Sequence, residues 1–136
     1  MQTFDWPVRV YYEDTDSGGV VYYANYLKFM ERARTEWLRA LGFEQDALIR
    51  DAGVIFAVRS ATVDYRQPAR FNDGLIVRST LQSAGRASVV FDQQVLRGDG
   101  AELLTRGTIK IASLDATTFR PKPMPQALLE ALSRDD

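Results

Sequence analysis

From Val8 the chain reads Val-Arg-Val-Tyr-Tyr-Glu-Asp-Thr-Asp-Ser-Gly-Gly, and from Asn25 it takes up a helix-like pattern. Three carboxylates, Glu13, Asp14 and Asp16, stand at the end of a strand-like run and just ahead of a helix start. A helix start offers unpaired backbone N–H groups and a partial positive charge. A carboxylate beside such donors can serve as nucleophile or base while they hold a developing oxyanion. Gly18-Gly19 between the two marks a turn and permits close backbone approach. The chain has no histidine and no cysteine. A Ser-His-Asp triad, a Cys-His pair, disulfides and zinc–thiolate sites are therefore excluded within it. Any chemistry falls to carboxylates, hydroxyls, backbone amides, lysine and arginine.

The elements that must position these groups follow from composition and periodicity. At 136 residues, 46% hydrophobic and 26% charged, the chain is expected to form one soluble domain over 1–136. A net charge of −1 exerts no global pull on nucleic acid. No apolar run approaches the length of a membrane span, so no stable membrane insertion is expected. The opening Met1-Gln2-Thr3-Phe4-Asp5 lacks the basic-then-apolar pattern of a signal peptide, which makes the cytoplasm the expected location.

Pro7 to Glu13 is β-branched and aromatic and predicts a first strand. Tyr26, Met30, Ala33, Trp37 and Leu41 then form one stripe of a helix over 25–41, with Asn25 as N-cap and Gly42 as its stop. Leu27, Phe29 and Leu38 widen that stripe, and a short amphipathic piece follows at 45–50. Four strands come next, over 55–66, 75–81, 88–96 and 103–114, read as consecutive and joined by short turns. Pro121, Pro123 and Pro125 break the pattern before a short terminal helix with Leu128, Leu129 and Leu132. The fold class expected is α+β, with one long helix wrapped by a curved antiparallel sheet.

Residues 8–26 closely resemble the signature of hotdog-fold acyl-CoA thioesterases of the 4-hydroxybenzoyl-CoA thioesterase type. The continuation Leu27-Lys28-Phe29-Met30-Glu31-Arg32-Ala33-Arg34-Thr35-Glu36-Trp37-Leu38-Arg39 is similar to the YbgC-like branch associated with the Tol-Pal envelope system. Tyr65, Pro68 and Asp73 fall where the family keeps the end of its second strand and the turn beyond it. The resemblance runs from about Trp6 to Pro125. It implies a hotdog fold, one long central helix wrapped by a five-stranded antiparallel sheet, with active sites at a dimer interface in homodimers or homotetramers. Asp16 matches the catalytic carboxylate, and Tyr23 the position whose backbone N–H polarises the thioester carbonyl. The YbgC-like branch carries histidine where this chain has Tyr23; the amide role survives that change, and an imidazole proton shuttle does not. Arg86, Arg120 and Lys122 fall near places where the family can contact coenzyme A phosphates. Val20, Val21, Ile55 and Ala57 are the positions expected to line an acyl pocket.

The reaction so implied is hydrolysis of an acyl-CoA thioester with no metal or organic cofactor. The substrate is an acyl-CoA or an acyl carrier protein thioester. Each residue has a plainer reading. Asp16 before two glycines is a common turn residue, and the arginines and lysine are ordinary solvated charges. A second class is phosphoryl transfer, with Asp14-x-Asp16 holding magnesium; that chemistry sits on a parallel sheet with several crossover helices, which the element order lacks. A third is a non-catalytic acyl-CoA or acyl-carrier-protein binding module.

Overall fold

A computed structural model describes residues 2–134 of the chain. Five strands form one sheet: β1 (Thr3–Arg9), β2 (Val54–Tyr65), β3 (Gly74–Ala84), β4 (Ser88–Arg97) and β5 (Glu102–Asp115). Their order is β1-β3-β4-β5-β2, and every neighbouring pair is antiparallel. The helices are α1 (Asn25–Ala40), α2 (Gln45–Ala47), which runs on into a π turn (Leu48–Ala52), and α3 (Gln126–Ser133). Among the described residues no helix is long and apolar enough to cross a membrane.

The α1 stripe lies against the sheet as its spacing predicts. Tyr26, Phe29, Met30, Ala33, Trp37 and Leu38 are buried, whereas Leu27 remains exposed. Trp37 stacks on Phe4 of β1 and meets Phe91 of β4 edge-on. Gly107 on β5 is what allows the close approach: a Cβ there would stand 3.0 Å from the Met30 side chain. The helix stops at Gly42, whose φ of +96° favours glycine. The Gly42 N–H reaches the Arg39 carbonyl and the Phe43 N–H reaches the Leu38 carbonyl, a complete Schellman closure.

Three expectations need correction. The first strand lies over Thr3–Arg9 rather than 7–13. Its ladder ends where Arg9 meets Gly74, and the Asp14 carboxylate then takes the Tyr11 N–H at 2.8 Å, winding Tyr12–Asp14 into a 3-10 turn. Asn25 is not the N-cap: Ala24 holds that position with helical angles and no side-chain bond. The last four strands are not a simple run of hairpins either. β2 pairs with β5 along its whole length, so residues 66–73 must cross from one edge of the sheet to β3. β2 and β3 are three strand spacings apart, about 14 Å in a flat sheet, well within the reach of eight residues at about 3.4 Å each.

That crossover is tied at both ends. Asp73 accepts from the Arg70 N–H and from Arg97, and Arg97 also donates to the Pro68 carbonyl and to Glu102. Asn72 and Asp73 exchange backbone bonds with Val10, bringing the end of the first strand alongside.

Candidate active site

The site is built on the segment that leaves β1, turns at 16–19 and runs into α1. Thr15 bridges Val21, and the Asp16 N–H bonds the Val20 carbonyl, so 15–21 is a small hairpin with Asp16 at its tip. Its returning strand is locked to the crossover: Val20 bridges Arg70, and the Val21 N–H reaches the Ala69 carbonyl at 2.8 Å. The Ala69 N–H in turn donates to the Tyr26 hydroxyl at 3.0 Å, so one crossover residue holds both the loop and the first turn of α1.

Asp14 is the hinge of this assembly. It is only 9% exposed. Its carboxylate is taken by Tyr11, and its carbonyl accepts from the Tyr22 N–H and the Asn25 side-chain amide, both at 2.9 Å. Asn25 has therefore given up capping in order to tether the helix start to the loop. Glu13 points to solvent. Asp14 Oδ2 is engaged by backbone, and among the described residues no three acidic side chains gather into a metal site.

Asp16 is exposed at the tip. Its Oδ1 accepts the Gly18 N–H at 2.8 Å, which orients the carboxylate, while among the described residues no donor meets Oδ2. Tyr23 lies seven residues on, immediately before the Ala24 cap, and its side chain is 60% exposed. The Tyr23 carbonyl accepts from the Tyr65 hydroxyl at 3.2 Å. The Tyr23 N–H has no acceptor among the described residues and keeps its donor free. Burial, and then the neighbouring Tyr23 and Tyr26, push the Tyr65 phenol above its ordinary range, so it remains a donor at neutral pH. Around this end Tyr11, Tyr12, Tyr22, Tyr23, Tyr65 and Phe71 are all exposed, with Tyr12 stacked on Phe71.

The other sequence-derived positions scatter. Val21 is core, and Val20 is half-buried against Arg70. Ile55 and Ala57 sit on one face of β2, while the cavity beside α1 is lined by Phe56 and Val58 on the other. Arg86 is exposed in the β3–β4 turn, and Arg120 is exposed beyond β5. Lys122 donates to the Ala52 carbonyl at 2.9 Å and faces Asp115. These three bases lie at the end of the sheet near Ser113–Asp115, whereas the Asp16 loop lies at the end near Thr105. The separation along β5 is about 30 Å, so within one chain they do not meet Asp16.

Sequence reasoning missed Arg34 and Gln93. Arg34 Nη1 donates to Gln93 Oε1 at 2.8 Å, and burial pushes its guanidinium down to about 10, still charged at neutral pH. Gln93 is wholly buried and bonds the Met30 carbonyl and Ser79 Oγ. The available signal was a glutamine in an inward slot of β4, between Phe91 and Val95.

The family model of the thioesterase-like superfamily matches residues 10–132. The chain is 41% identical over 128 residues to an acyl-CoA thioesterase YbgC of Haemophilus influenzae, covering 94% of this chain and 93% of that one. It is 43% identical over 126 residues to an acyl-CoA thioester hydrolase YbgC of Escherichia coli, covering 93% and 92%. The crystal structure of a 1,4-dihydroxy-2-naphthoyl-CoA thioesterase from Synechocystis superposes with a TM-score of 0.89 at 26% identity, covering 96% of each chain.

Proposed function

This chain belongs to the thioesterase-like superfamily, has the hotdog fold and is an acyl-CoA thioester hydrolase, and on that premise we propose that Asp16 and the start of α1 carry its reaction. The observation behind this is the free Oδ2 of Asp16 on a loop locked to the same crossover that holds the first turn of α1. The thioester carbonyl oxygen takes the open Tyr23 N–H. Asp16 Oδ2 either attacks the carbonyl carbon or takes a proton from the water that does. In both routes the C–S bond breaks, CoA leaves as thiolate, and water supplies the hydroxyl of the free acid. A preorganised donor at the oxyanion is worth about 10²–10³ in rate. Thiolate is a good leaving group, so strong general-acid help is not needed in a chain without histidine.

The site is composite in this reading. β2 is an edge strand exposed from Val58 to Thr62, and an open edge is a template for pairing. Two copies paired antiparallel through β2 bring the partner's opposite sheet end to the Asp16 loop. A second copy then supplies Arg86, Arg120 and Lys122 toward the CoA phosphates and covers the exposed tyrosines. The working unit is a homodimer, or a homotetramer of two such pairs, acting in the cytoplasm on an acyl-CoA or an acyl carrier protein thioester.

Mixing tests this. Copies carrying Asp16→Asn and copies carrying Arg86→Ala with Arg120→Ala are each impaired. Mixed dimers recover one site with both intact groups if the site is shared. No recovery beyond the weighted average of the two would rule out a composite site.

A further inference from the structure

Two cavities lie along α1 and share part of their wall. The outer, about 310 Å³, lies between Leu27, Lys28 and Glu31 of α1 and Val58, Ala61 and Ile109 of the sheet. The inner, about 180 Å³, is mostly apolar, with Phe56, Phe91, Met124 and Leu128 in its wall beside Glu31, Thr35 and Gln45. Glu31, Arg34 and Val58 border both. The outer cavity begins one turn beyond Tyr23, where the thioester is placed above.

Arg34 is fixed rather than floppy. It donates to Gln93, and the Gln93 amide is held in turn by the Met30 carbonyl and Ser79. A guanidinium has five N–H donors, and Gln93 is its hydrogen-bond partner among the described residues. An alkyl chain sliding past it would strip away water without offering an acceptor, which is a heavy cost for a charged group. The cavity beyond is nevertheless large enough for a ligand, since an apolar void of about 150 Å³ takes up benzene.

We propose that Arg34 is the specificity-determining residue that ends the acyl groove, so that the acyl chain fills the outer cavity and the inner one stays closed to it. The inference rests on the placement of the thioester at Asp16 and the start of α1. The helix rises about 16 Å between Tyr23 and Arg34, and an arginine side chain leans back by about one turn. About 10 Å remains, or roughly eight bonds at about 1.2 Å of extension each. Saturated acyl chains beyond about eight carbons should therefore lose kcat/KM steeply.

The test compares wild type, Arg34→Leu and Arg34→Leu with Val89→Phe on saturated acyl-CoAs of about six to fourteen carbons. Each methylene newly buried is worth about fourfold. The ratio of long-chain to short-chain kcat/KM should rise about tenfold or more in Arg34→Leu, and fall back when phenylalanine at 89 refills the inner cavity. Unchanged ratios in Arg34→Leu would overturn the proposal. So would a wild type that accepts fourteen carbons as well as eight, a result that does not depend on the variants folding. Turnover of no thioester at all is a distinguishable result, since it would remove the functional reading beneath this one.

Discussion

Gly18→Ala probes where the Asp16 carboxylate must stand. A Cβ at 18 would lie 3.2 Å from Asp16 Oδ1, the atom that accepts the Gly18 N–H. Ordinary contact begins at 3.4 Å, so the carboxylate has to give by a few tenths of an ångström, about 0.2–0.5 Å. A misplacement of about 1 Å at a reacting group costs about 10²-fold. Scaled on that basis, the retreat lowers kcat by roughly 2.5- to 10-fold. Stability should hold, because Gly18 is not at positive φ and alanine restricts the unfolded chain by about 0.4–1 kcal/mol in the other direction. The neighbour supplies the control. Gly19 has a φ of +78° and nothing within 4 Å of a built Cβ, so Gly19→Ala adds backbone strain without touching the carboxylate. It should cost about 1–2 kcal/mol. Thiol-release kinetics and thermal melts on both variants give the pattern. A Gly18→Ala enzyme with full kcat would refute the reasoning, because the reacting carboxylate would then not be the one that Gly18 orients.

Asn25→Asp removes the donor that ties α1 to the Asp14 carbonyl and sets a carboxylate against a carbonyl in a buried spot. It should cost about 1–3 kcal/mol, read as a lower melting temperature, whereas an unchanged melt would show that the tether carries no stability. Asp115 accepts from the Thr118 and Thr117 N–H groups, which hold its pKa below the ordinary carboxylate value. A carboxylate depressed by folding stabilises above its unfolded pKa, and that contribution is lost as pH falls through the folded value. The stability gap between wild type and Asp115→Asn should therefore be constant near neutrality and close below about pH 4; a gap that widens on acidification contradicts this. Arg120→Ala should raise KM for an acyl-CoA far more than for the matching acyl-pantetheine, which lacks the nucleotide phosphates. Equal effects on both would take Arg120 away from the CoA site.

Much of this architecture was legible because local patterns agree with the fold. The stripe Tyr26, Met30, Ala33 and Trp37 and the alternation in β3 to β5 report burial directly. The first strand was misplaced because Val10-Tyr11-Tyr12 has strand composition, while one buried carboxylate, Asp14, turns it into a 3-10 bend. The partner of β2 was not legible, since the pairing with β5 is tertiary and the crossover at 66–73 carries turn residues like any loop. On β2 the acyl-pocket positions Ile55 and Ala57 and the cavity-lining Phe56 and Val58 lie on opposite faces, and alternation alone does not say which face meets α1. The distance of Arg86, Arg120 and Lys122 from Asp16 within the chain depends on sheet topology, which residue types do not reveal. Arg34 looked like surface charge because its burial is created by β4, through Gln93.

The most direct measurement is thiol release by Asp16→Asn beside wild type, with folding checked by melt and thioester affinity measured by direct binding. Asparagine keeps an oxygen to accept the Gly18 N–H, so the loop should persist while nucleophile and base are both lost. The account predicts intact folding, retained binding and a kcat lower by about 10²–10⁴. Turnover equal to wild type would contradict it and send the search to another carboxylate.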